Sequence, residues 1–313
     1  MKIYLANPRG FCAGVDRAIH IVEAALAKYG APVFVRNEIV HNKAVVETLK
    51  KRGAVFVKDV DEIPDGKVVV FSAHGAGVSA YERAKEKILT ILDASCPLVK
   101  KVHKNIKKYS EDGAKIILIG HAGHPEVEGH LGQIDEKIYL ITKPEDVADL
   151  PFSADEKLAY LTQTTLSKKE SENVISELKK RFPQILGPKK GDLCYATTNR
   201  QTAVEDFAEE SGGRPKIDLL LVVGSANSSN SNRLKELGET LGIRSFLIDE
   251  PRNIDLSWFI GVENIGITSG ASAPEYLVQE LIDEISDKFP VEGVYELETM
   301  EENVRFPLPD GLI

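Results

Sequence analysis

Cys12, Cys96 and Cys194 are the only cysteines in this chain of 313 residues, and they recur at intervals close to a third of its length. Each stands in a turn between an apolar run and a helical pattern. Two glycines and a proline surround Cys12 in Asn7-Pro-Arg-Gly-Phe-Cys-Ala-Gly-Val15, and Pro97 follows Cys96 at what reads as a first helical position. Cys194 follows Asp192 and opens the helical stretch from Tyr195. Unpaired N–H groups and the positive end of a helix dipole favour a thiolate in such a turn. The residues alone leave three readings open: small buried hydrophobes, ligands of a zinc ion completed by a fourth group, or ligands to three irons of an iron–sulfur cube. No Cys-x-x-Cys knuckle of the usual structural zinc type is present.

The polar loops repeat in step with the cysteines. Val40-His41-Asn42 and Ser72-Ala-His74-Gly75 follow Cys12; Gly120-His-Ala-Gly-His124-Pro-Glu126 and Leu161-Thr-Gln-Thr164-Thr165 follow Cys96; Gly224-Ser-Ala-Asn-Ser228-Ser229-Asn230 and Thr268-Ser-Gly-Ala-Ser272 follow Cys194. Every loop comes after a predicted strand, where parallel α/β sheets present ligand groups. His41, His74, His124, Ser228, Ser229, Asn230 and Ser272 would make a ring of donors suited to a phosphate or diphosphate. The same serines and asparagines are also ordinary turn and cap residues, and His121 with His124 is a weaker metal pair. Glu126, two residues after His124, reads as a proton relay or as a first-turn acid stabilised by a helix N-terminus. Thr164 and Thr165 either aim a hydroxyl at the same centre or cap the next segment of chain. No Walker loop and no Gly-x-Gly-x-x-Gly is present, so no nucleotide motif supports a nucleotide site.

These residues need strands ending at a common edge. Apolar runs at 3–6, 32–35, 54–57, 68–72, 89–93, 115–120, 137–141, 157–162, 218–223, 245–248 and 264–268 read as strands. Helical patterns at 16–29, 42–52, 78–88, 97–111, 167–182, 195–209, 231–241 and 274–287 alternate with them. That alternation calls for parallel sheets built from βαβ units. The expected fold class is α/β, with three similar small domains arranged as a trefoil around one central site: 1–96, 97–193 and 194–290, then an extended tail at 291–313. A net charge of −9 argues against a general nucleic-acid surface, and no apolar run approaches a membrane span. The N-terminus enters a strand too soon for a signal peptide, and three cysteines suit a reducing compartment. A cytoplasmic location is expected.

Six stretches closely resemble the 4-hydroxy-3-methylbut-2-enyl diphosphate reductases of the LytB type: 6–18 around Cys12, 93–99 around Cys96, 120–129 with His124 and Glu126, 162–167 with Thr164, 194–201 from Cys194, and 224–234 with Ser228 to Asn230. The likeness runs from Met1 to about Val294. One departure is Gly75-Ala-Gly-Val78, where the family more usually has Val directly after His-Gly. The resemblance implies a trefoil of three α/β domains around a 4Fe–4S cluster ligated by Cys12, Cys96 and Cys194, with the substrate oxygen on the open iron. It implies reductive loss of that hydroxyl as water, with two electrons and two protons, to give isopentenyl and dimethylallyl diphosphate. It also assigns Glu126 to proton relay and Thr164 to orienting the hydroxyl. His41, His74, Ser228, Ser229, Asn230 and Ser272 would hold the diphosphate, and His124 would bind it and help deliver a proton. A reduced ferredoxin or flavodoxin would be the electron donor. Two rival classes are a zinc-dependent phosphoester hydrolase with Glu126 as base, and a non-catalytic cluster sensor, for which no output module is seen.

Overall fold

Runs such as Leu219–Val223 and 116–119 are apolar at consecutive positions, so both faces of each strand must be covered. The computed structural model describes residues 1–189, 191–210, 214–297, 302–309 and 312, and it meets that demand. The strands are β1 (Lys2–Leu5), β2 (Val33–Arg36), β3 (Ala54–Val57), β4 (Val68–Phe71), β5 (Thr90–Asp93), β6 (Lys115–Ile119), β7 (Tyr139–Ile141), β8 (Leu158–Thr162), β9 (Leu219–Val223), β10 (Arg244–Ile248), β11 (Asn264–Ser269) and β12 (Gly293–Glu296). The helices are α1 (Ala13–Tyr29), α2 (Lys43–Lys51), α3 (Val78–Glu86), α4 (Pro97–Glu111), α5 (Pro125–Leu131), α6 (Lys168–Arg181), α7 (Tyr195–Glu205), α8 (Ser229–Thr240) and α9 (Glu275–Lys288). None of the described helices is long and apolar enough to cross a membrane.

The chain divides into two compact units. The first comprises Met1–Ala13, His41–Val45 and Tyr195–Arg305. Its parallel sheet has the order β10-β9-β11-β1-β12. One face packs Ile3, Leu221, Ile265 and Ile267 against Val278, Leu281 and Ile285 of α9. The other packs Tyr4, Leu220 and Val222 against Val204 of α7, Leu234 of α8 and Phe207. β9, β11 and β1 are neighbours, so the loops leaving their C-terminal ends emerge side by side.

The second unit comprises Gly14–Val40, Val46–Cys194 and Phe306–Ile313. It holds two parallel sheets, β3-β2-β4-β5 and β7-β6-β8. In the first, Phe34, Val69 and Phe71 pack with Ala84 of α3. In the second, Ile117, Ile119 and Leu158 meet Val174 and Leu178 of α6 on one side. Ile116, Leu118 and Leu161 meet Val102 and Ile106 of α4 and Val127 of α5 on the other.

The α/β class with parallel sheets is as the sequence predicts, but two boundaries differ. β1, placed by the sequence with residues 1–96, pairs with β11 from Lys2↔Asn264 to Leu5↔Ile267 and with β12 on its other side. Its apolar side chains are covered only there. Part of the expected tail from 291 is strand β12, which closes that sheet edge. The helix expected to reach Glu209 ends at Glu205, followed by a 3-10 turn through Ala208. Residues 211–213 of the polar break after it, and 298–301, 310, 311 and 313 of the tail, lie outside the described residues.

Candidate functional site

In the first unit, Cys12 sits in the loop between β1 and α1, and the rest of the sheet edge holds that loop. The Cys12 N–H donates to the Ala271 carbonyl (3.2 Å) and the Gly10 N–H to Ser269 Oγ (2.7 Å). The guanidinium of Arg200, on α7, is fully buried and donates to the Gly10 carbonyl (2.7 Å) while pairing with Glu302 (3.0 Å). Arg9 in the same loop pairs with Glu275 and Glu296. Arg200 lies within the stretch 194–201, but nothing in its spacing marks it in the sequence.

The same edge carries the expected anion residues of this unit. Ser228 caps α8, accepting from the Ser231 N–H (3.3 Å), and its Oγ lies 3.4 Å from Ser272 Oγ. Ser272 Oγ donates to the His41 carbonyl (2.9 Å). Ser231 fits only because its neighbours lack side chains: a Cβ on Gly270 would lie 2.1 Å from Ser231 Oγ, and one on Gly224 2.2 Å away. Ser229 opens the helix. Asn230 is buried, and neither atom of its amide has a hydrogen-bond partner among the described residues. A buried amide left in that state is costly, and its N–H₂ would be satisfied by a phosphate oxygen. The N-terminus of α8, with its unpaired N–H groups, opens on the same edge.

In the second unit, Cys96 is the N-cap of α4 with Pro97 at the first helical position, and its N–H donates to Ala73 O (2.9 Å). β4 and β5 are adjacent, so the His74 loop and the Cys96 loop run together. His74 Nδ1 lies 3.3 Å from Ser72 Oγ, and its ring meets that of His124 edge-on at 5.8 Å between centroids. His124 caps α5, with Nδ1 accepting from the Glu126 N–H (3.1 Å). His121 instead faces Glu170 (3.6 Å), so the alternative of a His121–His124 metal pair gains nothing from this geometry.

Glu126 is 2% exposed. Its Oε1 accepts from the Thr164 N–H (2.7 Å) and its Oε2 from the Thr164 hydroxyl (3.0 Å). His130, fully buried one helical turn on, places Nε2 3.3 Å from Oε1. Burial pushes the Glu126 carboxyl up, but the His130 bond, the charges on His130 and His124 and the Thr164 N–H together outweigh it and hold the pKa below the usual carboxylate value. The Thr164 carbonyl accepts from the Cys194 N–H (3.0 Å), so one residue links the carboxylate to a thiol-bearing loop. Gln163 locks this edge: its Oε1 accepts from the His121 N–H (3.1 Å) and its Nε2 donates to Thr165 Oγ1 (2.8 Å). Thr165 is thereby turned to Gln163.

Behind Glu126, the ring of His103 meets His130 edge-on at 5.0 Å. Burial first, and the His130 charge next, push His103 down to about 3, so it is neutral at working pH. Asp192, beside Cys194, is pushed up by burial, against the pull of the Thr162 N–H and the Lys101 charge. His103 and His130 are not among the residues expected from the sequence. The Glu126–His130 spacing of four was the available signal once Glu126 is taken as a first-turn acid of a helix.

The donor set for a metal group is three half-exposed thiols, none disulfide-bonded, with no fourth cysteine in the chain. Cys12 belongs to the first unit, Cys96 and Cys194 to the second. Among the described residues no three His, Cys, Asp or Glu side chains are gathered as for a single ion. In number and kind the three thiols match the ligand set of a 4Fe–4S cube with one iron left without a cysteine; a four-cysteine zinc site they do not supply.

The family described as LytB protein matches residues 3–286. A 4-hydroxy-3-methylbut-2-enyl diphosphate reductase from Actinobacillus pleuropneumoniae serotype 3 (strain JL03) is 54% identical over 315 residues, covering 100% of this chain and 98% of that one. The enzyme of the same name from Haemophilus influenzae (strain PittEE) is 53% identical, with the same coverage. A solved structure of the E-1-hydroxy-2-methyl-but-2-enyl-4-diphosphate reductase from Plasmodium falciparum superposes with a TM-score of 0.93 at 36% identity, over 99% of this chain and 96% of that one.

Proposed function

This chain belongs to the LytB protein family, and from that premise we propose that it reduces 4-hydroxy-3-methylbut-2-enyl diphosphate. The substrate takes up two electrons and two protons and loses its hydroxyl as water, leaving isopentenyl or dimethylallyl diphosphate according to which allylic carbon is protonated. The observation that carries the reading is the Glu126–Thr164 pair. A buried carboxylate is bonded to both the N–H and the hydroxyl of Thr164, whose carbonyl holds the Cys194 loop.

A 4Fe–4S cluster held by Cys12, Cys96 and Cys194 would supply the electrons and an iron free of protein ligand. The protein's own groups do the rest. Thr164, its hydroxyl oriented by Glu126, aligns the substrate hydroxyl. Glu126 and His124 hold and pass the protons, one to the oxygen that leaves and one toward the allylic carbon. His41, His74, His124, Ser228, Ser229, Asn230 and Ser272 bind the diphosphate through neutral donors and the α8 N-terminus. The electron donor is a reduced ferredoxin or flavodoxin, and the chain works in the cytoplasm, where its thiols stay reduced.

The test is turnover without air. Protein, dithionite with methyl viologen and the hydroxylated diphosphate should yield both five-carbon diphosphates in stoichiometry with the electrons consumed. Release of inorganic phosphate or diphosphate with no reductant consumed would favour the hydrolase class and end this reading.

A further inference from the structure

The chain is acidic overall, with a net charge of −9, yet one face of α4 is not. Lys100, Lys101, Lys104, Lys107 and Lys108 are all exposed, while Val99, Val102 and Ile106 on the opposite side are buried. Positions 100, 104, 107 and 108 recur at the spacing of one helical face, which ends at the acidic Glu111. Lys100 is paired with Asp93 (2.7 Å), and Lys101 lies near Asp192 (3.8 Å) and donates to the Gly191 carbonyl. Lys104, Lys107 and Lys108 form no ion pair among the described residues. Beside them is a cavity of about 750 Å³ within the second unit, lined also by Tyr81, Asp93 and Glu111. A basic stripe beside a concavity, on a molecule whose other charges are mostly negative, attracts an acidic surface and steers its approach.

The position of this face narrows the partner. α4 begins at Cys96, its N-cap. Lys104 lies two turns beyond, about 12 Å along the axis at 1.5 Å per residue. A protein seated on the lysines therefore sits one rigid helix away from a thiol assigned to the cluster. We propose that the lysine face of α4 and the cavity beside it are the docking surface for an acidic electron-carrier protein. The inference rests on the reductase reading, because only a reductase needs electrons delivered here. It adds where the carrier binds and by what force: long-range attraction to Lys104, Lys107 and Lys108, screened by salt.

The test uses the full-length, cluster-loaded chain, an acidic plant-type ferredoxin as probe, and a variant carrying Lys104→Glu with Lys107→Glu. Both lysines are exposed and neither belongs to the site described above. With reduced ferredoxin, kcat/KM of the variant should fall by about tenfold or more at low salt, and its dependence on ionic strength should flatten. With dithionite and methyl viologen, turnover should stay at the wild-type level. A direct titration of oxidised ferredoxin at low salt should show the same loss of affinity with no substrate present. Unchanged ferredoxin kinetics and affinity overturn the proposal, as does an equal loss with ferredoxin and with the small reductant. So does retention of RNA on this face with no ferredoxin complex. A wild-type chain inactive with dithionite would refute the reductase reading instead, and the titration would still decide the docking.

Discussion

Replacing Glu126 separates its structural work from its chemical work. The carboxylate satisfies three donors in a site from which water is excluded: the Thr164 N–H at 2.7 Å, the Thr164 hydroxyl at 3.0 Å and His130 at 3.3 Å. Leucine would strand the Thr164 N–H and His130, at about 1–3 kcal/mol each, so Glu126→Leu should lose about 4 kcal/mol. Glutamine keeps one oxygen for the Thr164 N–H, and its amide can donate to a Thr164 hydroxyl turned to accept. Glu126→Gln therefore loses only the charge assistance, about 1 kcal/mol. Urea unfolding at pH 7 should separate the two variants clearly. Turnover should not: both lose the ionisable group, and a general acid or base contributes about 10²–10⁴-fold. The acid side gives a further check. The folded pKa lies below the unfolded one, so Glu126 adds stability above the ordinary carboxylate value, and that stability is lost as pH falls through the depressed value. Glu126→Gln should flatten that loss. Near-wild-type turnover of Glu126→Gln, or coincident unfolding of the two variants, would refute the reasoning.

Three other outcomes stem from buried charges. Arg200→Met removes the guanidinium that holds the Gly10 carbonyl and Glu302, and should lower stability by about 3–5 kcal/mol in urea unfolding; a change under about 1 kcal/mol would contradict the assigned partners. Asp192 has a raised pKa, so its charged form is penalised at neutral pH. Asp192→Asn, which still accepts from Thr162, should raise the urea midpoint at pH 7, and a lower midpoint would count against this account of its burial. His103 is pushed down to about 3 from its ordinary 6.5, so the wild type should lose stability as pH drops below about 6.5, and His103→Gln should lose less between pH 7 and 5.

Local signals in the sequence were reliable where the physics is local. Pro97 after Cys96 marks a helix start because a residue without an N–H is tolerated there, and Cys96 is the cap. Runs such as Leu219–Val223 read as buried strands because every position is apolar. The partner of β1 was not legible, since four residues of strand carry no label for the strand they join, and β11 lies at the far end of the chain. β12 was hidden by its brevity and half-exposed edge position. The site obeyed the same rule. The loop residues were visible as polar interruptions at strand ends. Arg200 and His103 were not, because each serves a group brought to it by folding: a carbonyl 190 residues away, and the ring of His130.

The central claim is that Cys12, Cys96 and Cys194 serve a reductase through a cluster with one iron free of protein ligand. The most direct measurement is an iron and sulfide count with a Mössbauer spectrum on protein purified without oxygen, before and after adding the hydroxylated diphosphate. The account predicts about four irons and four sulfides per chain, one iron distinct from the other three and altered by the diphosphate. Zinc, or no metal at all, in protein that still binds the diphosphate would contradict it.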